Sequence, residues 1–121
     1  MAILVLDHVQ IAIPENQEDA ARKFYIDLLG FEEVDKPLVL KERGGLWLRA
    51  GTVNLHLGAD ERFQPALKAH PAFLCDDLSS SKKALAAGGY PVQHDAHLNG
   101  YDRFFTADPW GNRIELMSRT T

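Results

Sequence analysis

Asp108 Pro109 Trp110 Gly111 Asn112 Arg113 Ile114 Glu115 Leu116 Met117 is the stretch from which the fold can be read. A turn marked by Pro109 and Gly111 delivers a short strand in which one carboxylate, Glu115, alternates with the aliphatic residues Ile114 and Leu116. Successive side chains of a strand point to opposite faces, so Ile114 and Leu116 define the packing side and Glu115, with Arg113 and Met117, the other. Taken alone, such an acid reads as a solvated residue on an edge-like strand. Its meaning depends on whether other strands present ligand-type residues with the same parity.

Working outward from it, a pattern appears twice. Residues 4–13 read as a strand with Val9, Ile11 and Ile13 on one face and His8, Gln10 and Ala12 on the other. Pro14 ends it. Asn16, with Asp19 three residues on, predicts a helix start of the capping-box kind. The pairs Ala20/Ala21, Phe24/Tyr25 and Leu28/Leu29 recur every four residues, giving an apolar stripe that closes at Gly30 in the C′ position. Strand-like segments follow at 31–34, 38–41 and 46–50, and Gly51 turns the chain into 52–57. Residues 59–69 form a connector in which Pro65 opens a short helical turn. The order then repeats: a strand at 70–75, a helix at about 79–87 entered through Asp76 Asp77 and closed by Gly88 Gly89, a short strand at 91–93, a strand at about 101–107, and the final strand. His8 and His70, Gly30 and Gly89, and Gly51 and Gly111 are each separated by about 60 residues, which marks an internal duplication.

Parity then selects a set of residues. With Val9 and Ile11, Val53, Leu55 and Leu57, Phe73 and Cys75, and Ile114 and Leu116 on the packing faces, the opposite faces carry His8, His56, His70 and Glu115. Imidazole nitrogens plus a carboxylate are donors for zinc, nickel, iron or manganese. One irregularity stands out: Gly51 precedes His56 by five residues and Gly111 precedes Glu115 by four, so the repeats do not superpose residue for residue.

Composition bounds the rest. With 121 residues and 45% apolar content, the chain is expected to form one domain over 1–121, with a first module at about 1–58, the connector 59–69 and a second module at about 70–121. The net charge of −4, with no basic cluster, argues against nucleic acid or an anionic membrane as partner. A single cysteine, Cys75, excludes an internal disulfide and suits a reducing cytoplasm; its parity predicts a buried, inert thiol. The opening residues lack a basic leader, and no apolar run is long enough to span a bilayer. His94 and His97 flank Asp95 in a polar loop and read as surface.

The chain resembles the vicinal oxygen chelate superfamily, the glyoxalase, bleomycin-resistance and extradiol-dioxygenase group. The similarity lies in Leu6 Asp7 His8 Val9, in Phe24 Tyr25 before Leu28 Leu29 Gly30 Phe31, in His70 Pro71 Ala72 Phe73, and most specifically in Asp108 to Leu116. It implies an α+β fold of paired βαβββ modules whose two curved mixed sheets form a cup around a divalent metal. The family's ligand positions fall on His8, His56, His70 and Glu115, with Glu115 doubling as proton acceptor, and dimers are usual. The chain departs from glyoxalase-I-like members at His56, where those carry Glu or Gln. An extradiol dioxygenase would use His8, His70 and Glu115 alone. Trp47, Arg49, Asn54, Tyr101, Arg103 and Phe105 are the candidate pocket lining for a small-molecule substrate. Two classes of function follow: a metal-dependent lyase, isomerase or dioxygenase acting on a small oxygen-rich metabolite, or a metal-free binding protein of the bleomycin-resistance type.

Overall fold

The computed structural model describes residues 1–120. Its backbone separates into two compact units that meet in sequence at Gln64/Pro65, inside the expected connector.

Unit 1 is a four-stranded mixed sheet with a helix. Strands β1 (Val9–Pro14), β2 (Glu32–Val34), β3 (Leu46–Ala50) and β4 (Val53–Asp60) lie in the order β1-β4-β3-β2. β1 pairs parallel with β4, and the other neighbours are antiparallel. The alternate residues Ile11, Ile13, Leu46, Leu48, Leu55 and Leu57 are buried, together with Ala21, Phe24, Tyr25 and Phe31. Burying each large side chain stabilises the unit by about 1.5–3 kcal/mol relative to leaving it exposed.

The helix differs instructively from the expected one. It begins as a short α-helix, α1 (Glu18–Ala21), and continues as a π-helix over Arg22–Leu28. Leu29 N–H donates to the Phe24 carbonyl five residues back, and the closing bonds from Gly30 to Ile26 and from Phe31 to Tyr25 each span one residue more than an α-type Schellman ending. The four-residue recurrence of apolar pairs exceeds the 3.6-residue α period, and the wider winding accommodates it, with Phe24 and Tyr25 both fully buried. Gly30 takes the expected left-handed C′ position at φ 83°. Asn16 does not cap the helix: it adopts φ 62° in the turn, and Gln17 holds the cap position without a side-chain bond.

Three other expectations for unit 1 are corrected. The segment expected as a strand at 38–41 is a 3₁₀-helix, Leu38–Arg43, with Leu38 and Val39 exposed. Gly44 and Gly45 then bring the chain into β3 with positive φ, and a Cβ on Gly45 would lie 2.0 Å from the Leu57 carbonyl oxygen. That close approach forces a break before β3 which no continuous strand could make. β1 starts at Val9, leaving residues 1–8 outside any helix or strand, with Ile3, Leu4, Val5 and Leu6 exposed. β4 runs to Asp60, beyond the expected end at 57.

Unit 2 repeats the topology in reduced form. β5 (Ala72–Leu74), β7 (Arg113–Arg119) and β6 (Tyr101–Ala107) form a three-stranded mixed sheet in the order β5-β7-β6, and helix α2 (Leu78–Ala87) packs on β6 and β7. The strand expected at 91–93 is reduced to a single bridge between Gln93 and Phe105. Asp77 caps α2 by accepting from Ser80 N–H at 3.0 Å. The bonds from Gly89 to Ala86 and from Tyr90 to Leu85 close the helix in a regular Schellman motif.

The final strand is also corrected: β7 is central, not an edge. Its entry turn explains the sequence that precedes it. Asp108 Oδ1 accepts from the Trp110 and Asn112 N–H groups, while Asn112 Nδ2 donates to Asp108 Oδ2 and Asn112 Oδ1 accepts from Ala66 N–H. Two buried polar side chains thereby satisfy a backbone that would otherwise leave orphan donors.

Pairing registers resolve the irregular spacing of the repeats. In unit 1, His56 on β4 lies opposite Gln10 on β1; in unit 2, Glu115 on β7 lies opposite Ala72 on β5. His8 and His70 each stand two residues before those partners. On the other flank, His56 pairs with Trp47 and Glu115 with Phe105. His56 and Glu115 are therefore equivalent positions, and each has an aromatic cross-strand neighbour.

Candidate functional site

The polar face of the unit 1 sheet carries a stack of three flat rings. Trp47 and His56 lie 4.1 Å apart between centroids with planes 7° apart, and His56 and His8 lie 4.1 Å apart at 17°. The register places Trp47 beside His56, and the end of β1 delivers His8 over its other face. Asp7 Oδ2 lies 2.8 Å from His8 Nδ1 and steadies the outer ring. Burial first, then the neighbouring charge of His8 and that of Lys36, push His56 below the usual imidazole value, against an opposing pull from Asp7. The stack borders a cavity of about 640 Å³ lined within unit 1 by residues that include Gln10, Lys36, Arg43 and Asn54. The Gln10 side chain lies over Gly58, where a Cβ would meet it at 2.6 Å, so the glycine gives that side chain its room.

Unit 2 gathers a different cluster. Glu115, 7% exposed, has His70 Nε2 at 3.1 Å from Oε1 and accepts from Arg103 Nη1 at 3.1 Å on Oε2. His70 Nδ1 lies 2.9 Å from the Lys68 carbonyl, and Arg103 Nη2 donates to the Ala96 carbonyl at 2.8 Å. Both ring nitrogens of His70 face oxygen acceptors, so the contact with Glu115 requires a proton on Nε2 or on the carboxyl. Phe105 stands edge-on to His70 at 5.1 Å and takes the Arg113 guanidinium on its ring at 3.8 Å. Glu115 is thus a buried, doubly partnered carboxylate, unlike the solvated acid that alternation alone suggests.

A chelated metal ion is tested by these arrangements. Imidazole lone pairs lie in the ring plane and must converge on one point at about 2.0–2.1 Å from the ion. Stacked planes run side by side, so His8 and His56 cannot grip a common ion as arranged. Both Glu115 oxygens are engaged by His70 and Arg103. Within each unit, among the described residues, no group of three His, Cys, Asp or Glu side chains comes together. The donor types suit a metal, but their present orientations do not fit one.

The candidate lining residues divide. Trp47 and Asn54 line the unit 1 cavity. Arg49 lies outside that lining, exposed and paired with Glu32 at 3.0 Å. Arg103 and Phe105 belong to the Glu115 cluster, and Tyr101 is half-buried at the start of β6. Cys75 is half-buried, less enclosed than its parity predicts, with its thiol pushed up chiefly by burial. His94 is exposed near Phe104. Sequence reasoning missed Lys36 and Gln10 as cavity residues and Arg113 as the cap on Phe105. Alternation places Gln10 beside His8, but nothing in the sequence brings Lys36 to that face.

Residues 5–116 match the model of the glyoxalase/bleomycin resistance protein/dioxygenase superfamily. The chain belongs to that superfamily. A glyoxalase family protein from Bacillus anthracis is 41% identical, with 99% of this chain and 98% of that one covered at a TM-score of 0.92. The fosfomycin resistance protein FosX from Listeria monocytogenes, 14% identical over 98% and 96% of the two chains, superposes with a TM-score of 0.77 and shows the shared fold alone. No curated protein matches. The two mixed sheets are those of the superfamily's α+β fold. No helix among the described residues is long and apolar enough to cross a membrane.

Proposed function

We propose that this superfamily member is a small-molecule-binding protein whose recognition site is the unit 1 cavity, with His8 and His56 serving as pocket walls. The observation that carries this reading is the Trp47–His56–His8 stack, which commits both imidazoles to ring contact beside a cavity sized for a metabolite. A thermal-shift screen of the purified chain against a metabolite and antibiotic panel tests it. Ligands that raise the midpoint and lose that effect in Trp47→Ala support the reading. A panel in which every stabilising ligand acts equally on Trp47→Ala overturns it.

A second reading, a metal-dependent lyase, isomerase or dioxygenase on a small oxygen-rich substrate, has its own support. His8/His56 and His70/Glu115 occupy equivalent register positions in the two units, and His70 Nδ1 is anchored on a backbone carbonyl, as metal-bound imidazoles commonly are. It requires His8 to swing off His56 and Arg103 to leave Glu115. Glu115 would then serve as ligand and proton acceptor. Elemental analysis after purification without chelator, and reconstitution with zinc, nickel, iron or manganese, decide it: stoichiometric metal lost in Glu115→Gln favours this reading, and no uptake removes it. Homodimerisation and residence in the cytoplasm are proposed with either reading on family resemblance, and sedimentation of the purified chain checks the first.

A further inference from the structure

The ring stack has an open end. Trp47 is flanked on β2 by Val34, with which it pairs, whereas the side chain of His8 is 43% exposed and, among the described residues, has its ring contact with His56 alone. Flat rings extend a stack by adding another flat ring at similar spacing, because offset aromatic faces attract beyond simple area burial. A saturated, puckered molecule cannot reproduce that contact. The charges bordering the cavity are unequal: Lys36, whose Nζ also donates to the Gly44 carbonyl, and Arg43 supply two cations against the one carboxylate of Asp7, which lies beside His8 Nδ1.

We propose that the unit 1 cavity takes a flat aromatic carboxylate, its ring extending the Trp47–His56–His8 stack and its acid group drawn by Lys36 and Arg43. The inference rests on the binding reading above and narrows its ligand class.

The test is isothermal titration of the full chain with 2-naphthoate, its saturated decahydro analogue and neutral 2-naphthylmethanol. Naphthoate is expected to bind about five- to tenfold more tightly than the saturated acid, the size of a stacking contribution. His8→Leu, which removes the outer ring of the stack, should weaken naphthoate more than the saturated acid and so remove that advantage. As a second measure, naphthoate should move the His8 ring-proton resonances upfield through its ring current. Equal affinities for the aromatic and saturated acids, or an unchanged His8→Leu variant, overturn the stacking inference while the binding reading stands. Naphthylmethanol binding as well as naphthoate overturns the anion preference. If none of the three binds, the proposed ligand class fails, and the binding reading is then judged on the thermal-shift panel alone.

Discussion

Replacing Arg103 by methionine removes a guanidinium from a buried carboxylate and leaves the packing volume nearly intact. Arg103 Nη1 lies 3.1 Å from Glu115 Oε2, with side-chain exposures of 17% and 9%, so water screens the pair only weakly. Breaking a buried pair by deleting one partner costs about 3–5 kcal/mol when the remaining charge is abandoned. Here His70 stays on Oε1, so the carboxylate is not abandoned, and the Ala96 carbonyl that also loses a donor belongs to an exposed residue. The Arg103 Nε atom has no partner, which lowers the net worth of the native arrangement further. A destabilisation of about 2–3 kcal/mol is therefore expected. Urea unfolding followed by circular dichroism measures it as a lower midpoint at unchanged slope. Adding Glu115→Gln removes the charge that the first substitution leaves with His70 as its remaining side-chain partner, so the double variant should recover at least about 1 kcal/mol of the loss. A loss below about 0.5 kcal/mol for Arg103→Met, or simple additivity in the double variant, would refute the claim that Glu115 is held by Arg103.

Further outcomes follow from other sites. His56 sits below its ordinary value in the folded chain, so the unfolded chain takes up protons first; its contribution to stability is intact above the unfolded value near 6.5 and is lost as pH falls through the lower folded value. His56→Gln should accordingly flatten the stability profile between about pH 7 and pH 5, and an unaltered slope contradicts the assignment. Burial raises the Cys75 thiol, so its alkylation by iodoacetamide at pH 8 should run slower than that of free cysteine and reach that rate only after unfolding. Gly45→Ala places a Cβ against the Leu57 carbonyl at a backbone angle that disfavours it, and should cost about 3 kcal/mol or more; a near-native unfolding midpoint would show that β3 enters differently.

The sequence by itself determined the alternation on β1, β4, β5 and β7, the glycine that closes the first helix, the duplication and the turn before β7. Each of these is a local matter of period two, period four or positive φ, written in neighbouring residues. The 3₁₀ segment at Leu38–Arg43 was not legible in the local apolar run, and the room that Gly45 needs beside Leu57, twelve residues away, shows only in the fold. The equivalence of His56 with Glu115 was obscured by turns of unequal length and emerges only from strand pairing. What tertiary structure alone decided is what the polar residues do once assembled. Residue type marked four donors, but the register beside Trp47 turned His8 and His56 into a stack, and the central place of β7 enclosed Glu115 between His70 and Arg103. A side chain's chemistry is fixed by its covalent structure, whereas the group that claims its lone pairs is chosen by neighbours that are distant in sequence and adjacent only in the fold.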